Sequence, residues 1–226
     1  MALDLQDPEL LQRDAFIAGT WHPGERRVPV IDPATGETLA EVTRCAPADA
    51  ERAIDAATGA APAMKASLAG DRAAVLHRFA DLMGTHAADL ARLLTLEQGK
   101  PLAESRGEIA YAASFLRWFA EQARRLDGEV IPATKAGQRL MVLREPVGVA
   151  AAITPWNFPS AMITRKLGAA YAAGCPLVLK PAEATPLSAL ALRVLATRAG
   201  MAPGAFQIVT GDASDAPPLG KVLTGS

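Results

Sequence analysis

Cysteine is scarce in this chain: Cys45 and Cys175 are the only two in 226 residues, and no CxxC pairing joins them. Two thiols so far apart exclude a disulfide framework and fit a reducing cytoplasm. The three histidines, His22, His77 and His86, have no ligand spacing with thiols or carboxylates, so no metal is expected. No charge of one sign dominates. With 23 Lys plus Arg against 24 Asp plus Glu, the net charge of -1 supplies no broad positive field for nucleic acid or an anionic membrane surface. Neither a bilayer-spanning apolar run nor a signal or transit peptide is readable, since the opening MALDLQDPELLQRDAF lacks a basic cap and a continuous apolar stretch. Half of the residues are hydrophobic, however, enough for a sizeable buried core.

The first half mixes short strands with helices. FIAGTW and VPVIDPATGETLAEVTR place β-branched runs around Asp32-Pro33 and Thr35-Gly36, which predicts two or three short strands. Helical spacing of Ala, Leu and charged residues predicts amphipathic helices over 49–61 and 71–97, the second broken by Gln98-Gly99-Lys100-Pro101. Another follows over 102–126, with Tyr111, Phe115, Trp118 and Phe119 on one face as a core-facing stripe. Glu97 and Glu104, flanking the QGKP break, read as solvated helix ends. RLMVLRE at 139–145 alternates like an edge strand outside the main sheet.

From Val147 the rhythm changes. VGVAAAIT (147–154) reads as a buried strand, 160–173 as a helix closed by Gly174, and PLVLK (176–180) as a second strand. Thr185 then reads as an N-cap with Pro186 in the first turn of a helix running to Gly200, and FQIVT (206–210) as a third strand. Strands and helices that alternate through short links imply right-handed crossovers, hence an α/β fold with a doubly wound parallel sheet. The division expected is 1–126 for the amino-terminal strands and helices, 127–146 for an edge or oligomerisation strand, and 147–226 for a partial dinucleotide-binding βαβαβ unit.

The GxGxxG turn common in dinucleotide-binding sheets is missing; TPWNFP stands there instead, stiffened by two prolines and two aromatics. It lies where open α/β sheets bind ligands. The Asn157 amide on such a bend can donate to a developing oxyanion, or it can bond its own backbone. Lys180 and Glu183 follow the second strand and are either ligand contacts or charges solvated before a helix. Arg165, about two helical turns beyond Asn157, is a surface charge or an anion fork. Cys175 reads as a small buried residue, whereas Cys45 precedes a helix whose amino end is able to lower a thiol pKa.

Residues 153–192, ITPWNFPSAMITRKLGAAYAAGCPLVLKPAEATPLSALAL, resemble the central signature of the aldehyde dehydrogenase superfamily. FIAGTW, DPATGE, LEQGKPLAES and REPVGV match in order, and MITRK is most like the succinate-semialdehyde branch. The resemblance implies a Rossmann-like fold and oxidation of an aldehyde to an acid, with hydride transfer to NAD or NADP. It implies that Asn157 is the oxyanion donor and that Arg165 binds the distant carboxylate of succinate semialdehyde. It also implies a cofactor groove formed by Ile153, Thr154, Pro155, Trp156 and Asn157, then Lys180, Ala182 and Glu183, then Gly211. Lys180 and Glu183 would hold the adenosine ribose, and the Glu183 carboxylate favours NAD because it repels a 2′-phosphate.

Relatives in this family are longer and homo-oligomeric, and their cysteine nucleophile and water-activating glutamate match nothing in these 226 residues. Thr224-Gly225-Ser226 resembles the start of a further glycine turn. The expectation is a fragment that does not oxidise aldehydes alone. The alternative is a non-catalytic nucleotide-binding or subunit-interaction module.

Overall fold

A computed structural model describes residues 3–225. Two hairpins come first, β1 (Ala15–Ile17) with β2 (Thr20–His22) and β3 (Arg27–Ile31) with β4 (Thr38–Thr43). The second is closed by Asp32, whose carboxylate accepts from the Ala34 N–H at 2.8 Å. Four strands thus stand where two or three were expected.

Four helices follow: α1 (Pro47–Ala66), α2 (Ala69–Thr85), α3 (Ala87–Gln98) and α4 (Leu102–Ala123). The 71–97 segment is therefore two helices rather than one. The chain turns at His86, where φ is -97° and ψ 18°, after Gly84 and Thr85, both poor helix formers. Gly99 closes α3 in the left-handed conformation with φ 88°. The aromatic stripe of α4 also departs from expectation. Tyr111 and Trp118 are exposed and Phe115 and Phe119 half buried, while Ala112, Ala113, Leu116, Ala120 and Ala123 form the buried face. Small residues let α4 approach α2 and α5 closely, which the larger rings would prevent.

A two-stranded hairpin, β5 (Glu129–Ile131) with β6 (Leu140–Val142), lies outside the main sheet with every residue exposed. Then come β7 (Ala150–Ile153), α5 (Pro159–Ala172), β8 (Leu177–Lys180), α6 (Pro186–Arg198), β9 (Phe206–Ile208) and α7 (Ala216–Gly225). β7, β8 and β9 pair in parallel, as the alternating pattern requires. The sheet order is β2-β1-β9-β8-β7, so the first hairpin extends it on the far side, with Phe16 antiparallel to Ile208.

Helices cover both faces. Leu177, Leu179, Phe206 and Ile208 pack toward α5 and α6, and Val178 and Val209 toward α1 and α7. β8 is wholly buried, whereas β7, expected to be buried, is an edge with Ala151 and Ile153 exposed. At the end of the chain Thr224 and Gly225 belong to α7 instead of a glycine turn, with the Thr224 hydroxyl donating to the Gly220 carbonyl at 2.9 Å. Ser226 lies outside the described residues.

Candidate active site

Three parallel strands end on one side of the sheet, and the segments that leave them are held in different ways. After β7 the Thr154 N–H donates to the Lys180 carbonyl at 3.2 Å, extending the ladder by one residue and burying Thr154. Pro155, Trp156, Asn157 and Phe158 then bend over the surface, all exposed, before Pro159 starts α5. The Asn157 Oδ1 accepts the Phe158 N–H at 3.1 Å. That bond commits the oxygen of the amide and leaves its NH₂ donors without a partner among the described residues.

β8 ends in Lys180, which is buried and donates from Nζ to Glu183 Oε2 at 3.2 Å. Ala182 is buried and Glu183 exposed at its tip. The Glu183 carboxyl is held below its ordinary range, first by its own backbone N–H and then by Lys180, against an opposing effect of burial. After β9 the chain passes through Thr210, whose hydroxyl donates to the Thr43 carbonyl at 2.6 Å, to Gly211. A Cβ on Gly211 would stand 3.0 Å from Asp215 Cβ and Oδ2, so the α7 entry packs tightly against this glycine and would have to shift to admit a side chain.

Trp156, Glu183, Thr185 and Gly211 line one groove with a volume of about 660 Å³, whose opposite wall is Val28 and Ile31 of β3. Three residues expected at a cofactor groove, Trp156, Glu183 and Gly211, therefore meet there. Lys180, Ala182 and Thr154 are buried and do not line it. Pro155, Asn157 and Ile153 are exposed beside it and do not line it. Arg165 is exposed on α5, donating to the Tyr111 hydroxyl at 3.2 Å with its guanidinium 4.8 Å from the Phe115 ring centre.

Two sequence expectations fail near this groove. Thr185 occupies the N-cap position of α6, but its hydroxyl caps nothing. Glu97, expected to be solvated, is 2% exposed and does the capping from α3, accepting the Leu187 and Ser188 N–H groups at 2.7 and 2.8 Å. Burial pushes its carboxyl up to about 8, against the pull of those two amides. Glu104 is exposed, as read. α5 is capped likewise: Glu108 Oε1 of α4 accepts the Ser160 and Ala161 N–H groups at 2.9 and 3.3 Å. Proline in the first turn followed by two free N–H groups was the available signal for both caps; nothing in the sequence pointed to the distant carboxylates.

Neither thiol offers a nucleophile. Cys45 is buried against Thr210, and burial raises its pKa to about 12, opposite to the lowering that a helix amino end would give. Cys175 is buried as well. The histidines sit beside carboxylates: His22 with Asp49, His77 with Glu121, His86 with Asp7. Among the described residues no group of three or more His, Cys, Asp or Glu is placed to hold a metal, and no helix is long and apolar enough to cross a membrane.

A sheet with three parallel strands, helices on both faces and a groove over the carboxyl ends of those strands places the chain in the class of open α/β proteins that take ligands at that edge. The chain belongs to the aldehyde dehydrogenase family, whose model matches residues 21–224. It is 53% identical to the glutarate-semialdehyde dehydrogenase of Pseudomonas aeruginosa over 226 residues, which cover 99% of this chain and 46% of that protein. It is 53% identical, with the same coverage, to the NADP(+) succinate-semialdehyde dehydrogenase of Escherichia coli. The crystal structure of succinate-semialdehyde dehydrogenase from Burkholderia pseudomallei superposes with a TM-score of 0.95 at 49% identity, over 99% of this chain and 46% of that one. The chain spans about half the length of these relatives.

Proposed function

We propose that residues 1–226 form the cofactor-side portion of an NAD(P)-dependent aldehyde dehydrogenase acting on a semialdehyde of a dicarboxylic acid, with succinate semialdehyde oxidised to succinate. The observation that carries this is Asn157. Its oxygen is taken by the backbone of a proline-braced bend, which leaves an exposed NH₂ group beside the groove with no partner among the described residues. Two N–H donors held in place before charge develops suit a tetrahedral oxyanion. The amide stabilises the oxyanion but is not itself a nucleophile, and Cys45 and Cys175 are both buried; the reaction is read as passing through a thiohemiacetal on a cysteine outside these residues.

The residues fit a dinucleotide. Gly211 lines the groove without a side chain, and Glu183 faces the groove as an ionised carboxylate suited to ribose hydroxyls. When bound, the nicotinamide supplies the hydride acceptor. Lys180 keeps Glu183 in place and Trp156 gives the groove an apolar wall. A carboxylate there favours NAD over NADP, although the adjacent Lys180 ammonium leaves NADP possible. Arg165 is proposed to take the distal carboxylate: among the described residues its hydrogen-bond partner is the neutral Tyr111 hydroxyl, which leaves further donors for an anion. The substrates in the relatives' names are aldehydes with an acidic group at the other end, which supports an arginine in that role.

The β5–β6 hairpin is proposed as a subunit contact, because Val130 and Met141 are 79% and 71% exposed on an arm that touches no other sheet. A cytoplasmic site of action goes with these readings. The test is incubation of the purified chain with succinate semialdehyde and NAD. No NADH is expected at an enzymatic rate, because both thiols, Cys45 and Cys175, are buried. NADH formed at such a rate would overturn the division of labour proposed.

A further inference from the structure

Lys100 enters the sequence as part of a helix break, yet its side chain is only 9% exposed and its ammonium reaches across the molecule. Nζ donates to Glu108 Oε2 at 2.6 Å and to the backbone carbonyl of Asn157 at 2.8 Å, and stands 4.3 Å from the centre of the Phe158 ring. A lysine ammonium has three donors, and here they meet a carboxylate, a carbonyl and an aromatic face. Glu108, whose side chain is 1% exposed, uses its other oxygen for the Ser160 and Ala161 N–H groups that open α5. Bend and helix start are thus tied to one buried ion pair.

We infer that Lys100 and Glu108 are a positioning pair for the Asn157 bend: they fix the backbone on both sides of Phe158 so that the Asn157 NH₂ group is presented outward as a donor. This rests on the oxyanion reading of Asn157 for its functional meaning, but its geometry is independent of catalysis. The bend needs such an anchor. Residues 155–158 are exposed and make no strand ladder, and among the described residues the Asn157 side chain bonds only to the next backbone N–H. Without a hold on the Asn157 carbonyl, that local bond would survive while the whole bend turned about β7. A preorganised donor loses much of its worth when it has to be reoriented during the reaction.

Asn157 is the sole asparagine of the chain, which makes the test direct. Labelling with [¹⁵N]asparagine gives one backbone amide signal and one side-chain NH₂ pair. In the Lys100→Met variant, which keeps the length of the stem and removes the charge, both are expected to move. The two signals move because the bend turns and their surroundings change, while thermal unfolding stays cooperative. A strut serving stability alone would lower the melting temperature and leave those signals in place; unmoved signals in folded Lys100→Met overturn the inference. Should Lys100→Met fail to fold, Glu108→Gln is read the same way, since it keeps an oxygen for Ser160 and Ala161 and removes the charge facing Lys100. Unmoved signals there, or loss of that fold too, also overturn it. Failure of the oxyanion reading would show elsewhere, as undiminished turnover by an Asn157→Ala enzyme that carries the nucleophile.

Discussion

Arg193 of α6 is fully buried, and none of its three guanidinium nitrogens has a hydrogen-bond partner among the described residues. Its compensation is aromatic, with the guanidinium carbon 3.8 Å from the Phe16 ring centre and 5.9 Å from that of Phe206, and burial draws its pKa down to about 10. An unpaired buried charge costs several kcal/mol, while cation–π contacts return about 2 kcal/mol. Arg193→Met, apolar and of similar reach, is therefore expected to raise stability by about 1–2 kcal/mol in urea unfolding; a lowered midpoint would contradict this.

Glu97 makes a pH prediction. Its carboxyl moves from an ordinary 4.5 up to about 8 on folding, so between those values the folded chain holds a proton that the unfolded chain lacks. The contribution to stability is then full below the lower value and declines as pH rises through the upper one. The urea midpoint of the parent should fall between about pH 5 and about pH 9 more steeply than that of Glu97→Gln, which does not titrate. Equal slopes would contradict the assignment. Neither Glu97 nor Lys100 was legible as a site residue, because their partners lie in other helices and only the folded chain brings them together. That Trp156, Glu183 and Gly211 would lie near one another was legible, because each follows a strand at the sheet's carboxyl edge.

At the scale of elements, boundaries written in glycine and proline were readable and faces were not. Gly99, Pro159, Gly174, Pro186 and Gly200 all stand where helices begin or end. Gly99 also carries a strict test. A Cβ there would lie 2.8 Å from Pro33 Cγ, and the left-handed conformation costs a non-glycine residue about 1–2 kcal/mol. Gly99→Ala should destabilise by at least that amount in denaturant titration, and a neutral substitution would show that the α3–α4 turn can take another path. The α4 stripe misled because alanine is abundant on every face of that helix. Hydrophobic spacing marks the aromatic face, but close helix packing selects the alanine face. The split at His86 left no breaker of the proline kind to read.

For the whole molecule, the alternating half of the sequence specified the parallel order of β7, β8 and β9, since short links allow little else. The attachment of β1 to β9 was not legible. Antiparallel pairing between segments nearly two hundred residues apart leaves no local trace, and a three-residue strand carries little pattern. That attachment matters to function, because the amino-terminal strands bring β3 over the groove and supply one of its walls.

The most direct measurement joins residues 1–226 to the carboxy-terminal remainder of the Escherichia coli relative and follows reduced nicotinamide formed from succinate semialdehyde, with and without Asn157→Ala. The account predicts turnover by the joined protein and a loss of roughly 10²–10³-fold in kcat on removing the asparagine amide. A joined protein that turns over equally well with alanine at position 157 would contradict it.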